Sequence, residues 1–373
     1  MTYIHQLPDW PHFKWEDVRL MSLLAGIRHR QGRLLGQMEG LGFTIRSEAS
    51  LTTLTSDVVG SSAIEGEKLN PEEVRSSIAR RLGMAYAGAA APSRNVEGVV
   101  DMMLDATRRF AEPLTAERLF GWHSSLFPIG RSGMQRITVG AWRPAAVGAM
   151  QVVSGPIGRE RVHFEAPEAH RVDAEMARFL EWFESVAGID PVLKAGIAHF
   201  WFVTIHPFED GNGRIGRAIA DMALARAEAT ADRFYSVSAQ IEAERNQYYD
   251  CLEHSQRGGL YITPWLEWFF GCLGRAIDRA QDSLAGTLRK TRMWEWINRF
   301  PVNERQRNVI NRLLNGFEGK LSSSKYAKLA KCSADTALRD IKELLERGIL
   351  VQEDAGGRST SYHLADLDED FGK

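Results

Sequence analysis

Residues 206–217, HPFEDGNGRIGR, bring together side chains that can do chemistry on a phosphate group. A glycine-rich turn that enters a helix leaves backbone N–H groups free beside the positive end of the helix dipole, which makes an anion site. Arg214 and Arg217 add charge-assisted donors to phosphate. Asp210 would repel an anion unless it holds a divalent cation, and Mg²⁺ commonly joins one carboxylate to phosphate oxygens. His206 ends the preceding helix, where it can accept a proton from an incoming hydroxyl.

These groups together supply a proton acceptor, a metal carboxylate, an amide cradle and two guanidinium groups. They predict transfer of a phosphorus-containing group from a nucleotide. A lone DGNG would be interpreted as a surface turn behind a helix-ending His-Pro pair, but the complete string is too specific for that alternative. The helices before and after this segment must hold these groups in place. The pattern DPVLKAGIAHFWFVTI begins with Asp190 as N-cap and Pro191 in the first turn, and a second helix begins near Gly213.

A β-hairpin is predicted at residues 150–167, MQVVSGPIGRERVHFEAP, in an otherwise helical chain. Two short β-prone runs flank the turn formers of SGPIGRE. A lone hairpin is marginally stable and must pack on something, and its free edge can accept an extended peptide. A purely structural hairpin is the alternative.

The bulk composition describes a globular chain. Its 373 residues carry 46 basic and 48 acidic side chains, for a net charge of −2. This balance predicts no global attraction to nucleic acid or to an anionic membrane. Three cysteines without a metal-binding spacing indicate buried thiols in a reducing compartment. The N-terminal residues lack the apolar core of a secretory signal, and no apolar stretch is long enough to span a bilayer. A cytoplasmic protein is expected.

Three regions are predicted along the chain, which we assign to the all-α class apart from small β elements. Residues 1–100 form an N-terminal helical region, and residues 101–290 form a helical core that carries the hairpin. The composition shifts after residue 300, and residues 302–365 form a separate module. Its short helix, tight turn, longer amphipathic helix and two strands resemble a winged helix-turn-helix domain.

The winged-helix pattern raises DNA binding as a second function. Its short helix carries a basic stripe of Lys325, Lys328 and Lys331. The helix predicted for recognition, residues 334–347, has the basic residues Arg339, Lys342 and Arg347. It also has the acidic residues Asp335, Asp340, Glu343 and Glu346, which leave a charge of −1. Insertion into a DNA groove requires the opposite sign, so contacts within a homodimer or with a target protein are favoured over DNA.

The 206–217 segment resembles the Fic family, whose signature is His-x-Phe-x-Asp/Glu-Gly-Asn-Gly-Arg-x-x-Arg. Every fixed position is filled, by His206, Phe208, Asp210, Gly211, Asn212, Gly213, Arg214 and Arg217. The resemblance extends over roughly residues 60–270 and implies a Fic-type helical core. It also implies AMPylation, the transfer of AMP from ATP to a Ser, Thr or Tyr hydroxyl of a target protein or of the protein itself. Related Doc-type phosphotransferases depart from the Gly-Asn-Gly-Arg part, which this chain keeps.

The resemblance also implies residue roles. His206 is the general base, Phe208 packs the loop, Asp210 binds Mg²⁺, and Arg217 holds the terminal phosphate of ATP. The nucleotide contacts implied by the signature are Asp210, Gly211, Asn212, Gly213, Arg214, Ile215, Gly216 and Arg217. The hairpin corresponds to the family's flap, with Arg161, Val162, His163 and Phe164 over the nucleotide. NQYYDCLEHSQ corresponds to the adenine pocket and offers Tyr248, Tyr249 and Gln256, although plain core packing is the alternative for such aromatics.

The stretch SSAIEGEKL, residues 61–69, fits the family's inhibitory pattern Ser/Thr-x-x-x-Glu-Asn/Gly, here Ser61, Glu65 and Gly66. Residues four apart share one helix face, and the inhibitory helix is predicted near residues 55–66. By resemblance, Glu65 pairs with Arg217 and competes with the γ-phosphate for its donors. A solvated carboxylate at a helix end is the alternative. In some Fic enzymes the same glutamate supports removal of AMP, so the direction of the reaction stays open.

Overall fold

The computed structural model describes residues 2–84, 92–145, 150–154, 159, 161–186, 188–314, 316–317, 319–353 and 360–365. The chain divides into two compact units, Met1–Gln281 and Asp282–Lys373. The division falls within one helix, α11, Thr263–Ile297. The sequence analysis placed the end of the catalytic core at residue 290, which lies inside the same helix. The composition of the sequence changes only after this helix, so it does not mark a division within the helix.

Helices dominate the first unit. Before the signature they are α1 (Asp17–Glu39), α2 (Phe43–Ile64), α3 (Pro71–Arg81), α4 (Arg94–Arg108), α5 (Ala116–Leu126), α6 (Val172–Glu184) and α7 (Pro191–Ile205). After it come α8 (Asn212–Glu228), α9 (Val237–Ala243), α10 (Arg245–Gln256) and the first part of α11. Short 3₁₀ helices lie at Ile4–Gln6 and Ala169–Arg171. In the part of the chain that the structure describes, no helix is both long and apolar enough to cross a membrane.

Helices α7 and α8 form the centre of the first unit, and the signature loop joins them. Nearly every residue of α7 is buried, as expected for a helix that is apolar on all sides. Its N-terminus is capped by Asp190, whose carboxylate accepts the Val192 N–H at 2.7 Å. Because both helices are surrounded by other elements, the loop between them is held at a defined place.

Helix α2, Phe43–Ile64, is the helix that carries the inhibitory pattern, and it begins well before the predicted residue 55. Its Ser- and Thr-rich middle hides the helical period, because several faces of the helix are buried at once. The helix ends at Ile64, Glu65 is its C-cap, and Gly66 follows with a φ of +84°. A left-handed glycine at this place is a common helix stop.

The described strands form antiparallel pairs. Strands β3 (Gln151–Ser154) and β4 (Arg161–Glu165) make the predicted hairpin, with Gln151 opposite Glu165. Most of its predicted turn, SGPIGRE, lies outside the described residues. The sequence did not predict a smaller pair, β1 (Arg131–Ser132) and β2 (Gln135–Arg136). Two-residue strands are too short to produce an alternating pattern.

The second unit contains α12 (Glu304–Leu314), α13 (Ser323–Ala330), α14 (Ala334–Glu346), β5 (Leu350–Gln352) and β6 (Tyr362–Leu364). Strands β5 and β6 are antiparallel, and Leu321 forms a β-bridge with Tyr362. Its core includes Ile297, Ile310, Tyr326, Ile341 and Leu344. The Gly-Gly turn predicted between the two strands lies outside the described residues.

Candidate active site

His206 is held at the C-cap of α7 in a left-handed conformation, with φ 52° and ψ 59°. Its Nδ1 lies 3.3 Å from the Val203 carbonyl oxygen, which assigns the proton to Nδ1 and leaves Nε2 as the acceptor. Burial lowers the pKa of His206 to about 4, and the nearby Arg143 charge acts in the same direction. The imidazole is therefore neutral at pH 7, as a general base must be.

The loop after His206 is closed by Asn212. The Asn212 side-chain oxygen accepts the Phe208 N–H at 2.9 Å, and its NH₂ group donates to the Phe208 carbonyl at 2.8 Å. Phe208 is fully buried and stacks on His123 with ring centroids 4.2 Å apart. The Asn212 side chain thus holds the loop together, and only its backbone N–H remains for the phosphate cradle in which the sequence placed it.

Asp210 lies beside the start of α8 and is oriented by three neighbours. One carboxylate oxygen accepts the Gly211 N–H at 2.5 Å, and the other accepts the Ser132 hydroxyl. Its backbone carbonyl lies 3.2 Å from Nε2 of His123, which is buried. The sequence analysis missed Ser132 and His123, because neither belongs to the signature.

The residues around Asp210 fit a magnesium ion shared with a nucleotide. In the described part of the chain, no three His, Cys, Asp or Glu side chains cluster so as to hold a metal by themselves. Mg²⁺ is usually bound by one or two carboxylates together with substrate phosphates, and it keeps several waters. A single oriented carboxylate next to a helix N-terminus meets that requirement.

Arg217 is almost fully buried, with 2% of its surface exposed, and it contacts the end of α2. Its Nε donates to the Ser61 hydroxyl at 2.9 Å, and its Nη2 donates to the Ser61 carbonyl and to Glu65, each at 2.8 Å. Burial alone would lower the pKa of Arg217, but the Glu65 charge and two nearby tyrosines raise it above its ordinary value. Its Nη1 makes no hydrogen bond within the described residues. This nitrogen is thus a buried donor without a partner among the described residues.

The Glu65 carboxylate also lies against the first turn of α8. A Cβ atom at Gly213 would be 2.0 Å from Glu65 Oε1, so only glycine permits this approach. The first-turn N–H groups of a helix have no partner within the helix and attract anions. Glu65 therefore lies beside the helix start to which the sequence assigns phosphate.

A second carboxylate from the same segment meets the other arginine of the signature. Arg214 Nη1 donates to Glu67 Oε2 at 2.9 Å, and the guanidinium lies 5.1 Å from the centre of the Phe127 ring. The sequence analysis did not single out Glu67, although its place two residues after Glu65 was visible. Both arginines of the signature thus form ion pairs with carboxylates at or just after the C-terminal end of α2.

A cavity of about 520 Å³ opens beside these groups. The predicted residues that line it are Glu65, His163, Phe164, His206, Gly213, Tyr248, Tyr249 and Gln256. Val152, Asn246, Leu252 and Glu253 also line it and were not predicted. The Tyr249 hydroxyl donates to the Ile64 carbonyl at 3.3 Å, which adds another contact to the end of α2. The cavity therefore combines the base, the anion site and an aromatic wall.

The remaining predicted contacts lie elsewhere. Arg161 forms an ion pair with Glu253, and the Val162 carbonyl accepts a hydrogen bond from Arg257 at 2.8 Å. Neither Arg161 nor Val162 lines the cavity.

Ile215 and Gly216 were also predicted to bind nucleotide. They lie on the packed face of α8, where Ile215 is fully buried and Gly216 lies against Val203 of α7, because the helical turn directs them away from the cavity.

Comparison with known proteins defines the class to which this site belongs. Residues 113–224 match the Fic/DOC family, and residues 3–84 match a domain of unknown function, DUF4172. The fold resembles that of a Fic family protein from Desulfovibrio desulfuricans, with a TM-score of 0.52 and 23% identity over 93% of this chain and 95% of that one. Residues 113–224 therefore match a Fic/DOC domain, and the chain has a mostly helical Fic fold.

Curated relatives with this domain are named as enzymes. The chain is 29% identical over 200 residues to protein adenylyltransferase fic-1 of Caenorhabditis elegans, a match covering 53% of this chain and 36% of the relative. It is 33% identical over 105 residues to protein adenylyltransferase Fic of Culex quinquefasciatus, covering 28% of this chain and 19% of the relative. The chain thus spans about a third of the first relative's length and about a fifth of the second's.

Proposed function

We propose that this protein is an ATP-dependent protein adenylyltransferase that is inhibited in its resting form by the end of α2. The observation that carries the proposal is the Glu65 carboxylate on Arg217 and against Gly213, where the signature predicts phosphate. Incubation with labelled ATP, Mg²⁺ and candidate target proteins, comparing the wild type with Glu65→Gly, tests it. Label on protein from neither form would contradict the proposal.

The reaction follows from the arrangement of the residues. Nε2 of neutral His206 accepts the proton of a target Ser, Thr or Tyr hydroxyl. The hydroxyl oxygen forms a bond to the α-phosphorus of ATP, the bond from that phosphorus to the bridging oxygen breaks, and pyrophosphate leaves. The first-turn N–H groups of α8 and the guanidinium groups of Arg214 and Arg217 stabilise the charge on the phosphate oxygens. A Mg²⁺ ion held by Asp210 would neutralise phosphate charge and help to align the leaving group.

Inhibition follows from competition for the same donors. With Glu65 on Arg217, the γ-phosphate of ATP cannot reach Nη2, and the α-phosphate is not presented in line with the hydroxyl. Glu67 occupies a donor of Arg214 and offsets its charge in the same way. The site could also support removal of AMP from a modified protein. Release of labelled AMP by the wild type, lost in Glu65→Gly, would assign Glu65 to that reverse reaction.

The metal role predicts the behaviour of Asp210. In the Glu65→Gly background, Asp210→Asn should lower label incorporation by roughly 100-fold or more, because the charge that holds Mg²⁺ is lost. The asparagine keeps an acceptor for the Gly211 N–H, which limits damage to the loop. Affinity for a fluorescent ATP analogue should fall less than turnover, since the amide groups and arginines remain. Titration with Mg²⁺ and with a chelator measures the effect, and unchanged activity in the chelator would refute the metal role.

For the second unit we propose a winged-helix fold that serves contacts with a second copy or with a target protein. The order of α12, α13, α14, β5 and β6, with a β-bridge from Leu321 to Tyr362, supports this fold. Asp340 changes the charge predicted for α14, because it is 2% exposed and accepts hydrogen bonds from Arg305 at 3.2 and 3.3 Å. Without Asp340, residues 334–347 have three basic and three acidic side chains, and a neutral surface still gives no attraction to DNA.

A DNA titration tests this preference. At physiological salt the full-length protein should bind random and genomic duplexes no more tightly than the nonspecific range of about 10⁻⁴–10⁻⁶ M. Fluorescence anisotropy measures the affinity, and light scattering on the same sample measures the oligomeric state. A sequence-specific complex with a Kd near 10⁻⁸ M would favour a DNA-binding regulator instead.

A further inference from the structure

Arg143 contacts the backbone around the proposed base. Its Nε donates to the His206 carbonyl at 2.8 Å, and its own backbone N–H donates to the Pro207 carbonyl at 2.9 Å. Its Nη2 donates to the carbonyl of Pro167, which follows flap strand β4. The Arg143 side chain thus joins the backbone of His206 to Pro167, which follows β4, and its backbone N–H holds the next residue of the signature loop.

The burial of Arg143 makes these contacts unusual. The residue is 3% exposed, and no carboxylate among the described residues forms an ion pair with it. Burying a guanidinium costs desolvation free energy, and carbonyl acceptors alone do not offset it with an opposite charge. An apolar side chain would avoid this cost, and a lysine would lack the planar set of donors that reaches several carbonyls at once. Such a desolvation cost is expected where the charge and the hydrogen bonds of the arginine act on a neighbouring functional group, here His206.

The backbone conformation of His206 needs to be stabilised by its neighbours. A non-glycine residue in the left-handed region is strained, and such strain persists only where the surroundings enforce it. Rotation of the peptide after His206 would redirect the imidazole. One hydrogen bond from Arg143 fixes the carbonyl of that peptide bond and another fixes the carbonyl of the next one, so together they oppose this rotation.

We infer that Arg143 is a positioning residue for His206, which fixes the direction from which the imidazole meets the target hydroxyl. The inference rests on the proposed function, since it assigns His206 the role of base. The charged groups that face His206 are Arg143 from the segment after β2, Glu65 from the end of α2, and Asp210 from the signature loop. Arg143 lowers the pKa of His206, and the two carboxylates raise it. Arg143 therefore also helps to keep the base neutral.

The test uses full-length protein in the Glu65→Gly background with two substitutions. Arg143→Gln removes the charge and the fork, and should lower kcat by about 30- to 100-fold while the KM for ATP changes by less than about threefold. Arg143→Lys keeps the charge and should lower kcat by about 10-fold. Arg136→Gln, an exposed arginine on β2, is the matched control and should leave both constants unchanged. Thermal unfolding of each variant corrects for loss of folded protein.

A second readout does not depend on activity. NMR titration of ¹⁵N-labelled histidines should show the His206 pKa higher in Arg143→Gln than in its parent, and unchanged in Arg143→Lys. Parental kcat in both variants, or a loss confined to the KM for ATP, would overturn the inference, as would an unchanged His206 pKa in Arg143→Gln. If Arg143→Gln does not fold, the kcat of Arg143→Lys decides. A parent that labels no protein contradicts the proposed function, and the NMR titration then tests Arg143 separately.

Discussion

Replacing Glu65 with glycine should raise incorporation of labelled AMP by about 10- to 1000-fold over the wild type. The substitution frees Arg217 Nη2 and empties the space against Gly213, so that the γ-phosphate can occupy both. Loss of a partly buried carboxylate–arginine pair corresponds to roughly 2–4 kcal/mol, part of which desolvation returns. Each 1.36 kcal/mol changes a rate about tenfold. Autoradiography or mass spectrometry of the modified protein measures the gain.

Three variants serve as controls for this gain. Arg217→Ala combined with Glu65→Gly should be silent, because the freed guanidinium is the source of the activation. Glu67→Gln alone should activate less than Glu65→Gly, since Glu67 contacts Arg214 and leaves Arg217 covered. Adding Glu67→Gln to Glu65→Gly should increase activity further. A double mutant with Arg217→Ala that keeps the full gain would show that Glu65 does not act through this arginine.

Replacing His206 with alanine in the activated Glu65→Gly protein should lower AMP transfer by about 10²- to 10⁴-fold, the usual contribution of a general base. His206 packs at a helix end and is not fully buried, so its removal should leave the fold intact. Affinity for an ATP analogue should change little, because the anion site lies on α8. Label incorporation, binding and the unfolding temperature should be measured on the same preparation.

The expected pH dependence provides a second test of the base. A neutral His206 is required for proton acceptance, and its pKa is lowered to about 4. Glu65 raises this pKa, so its loss does not move the titration upward. Transfer by Glu65→Gly should therefore stay constant as the pH falls from 7 towards 5 and should decrease only near pH 4 or below. An inflection between pH 6 and 7 would mean that a histidine with an ordinary pKa, rather than the desolvated His206, controls the rate.

Sequence alone determined which chemical groups the signature brings together, because those residues are close in the chain. Adjacent helix and turn signals place the base, the carboxylate and the free N–H groups of a helix start within twelve residues. The same local reasoning put Ser61 and Glu65 on one helical turn. The roles of Asn212, Ile215 and Gly216 needed the structure, because a motif does not show which side chains face the loop or the core.

Only the tertiary structure decided which distant residues meet the signature. Glu65 and Arg217 are 152 residues apart in the chain, and Glu67 and Arg214 are 147 apart. The helical periodicity of α2 predicts which face carries a carboxylate but not which helix that face contacts. Only the family resemblance indicated a partner for Glu65. Nothing in the sequence around Arg143, Ser132 or Asp340 indicates their partners, because burial of a polar group depends on elements packed from elsewhere in the chain. Local spacing thus predicts the reacting groups, whereas the packing of α2 and of the segment after β2 decides which distant side chains contact them.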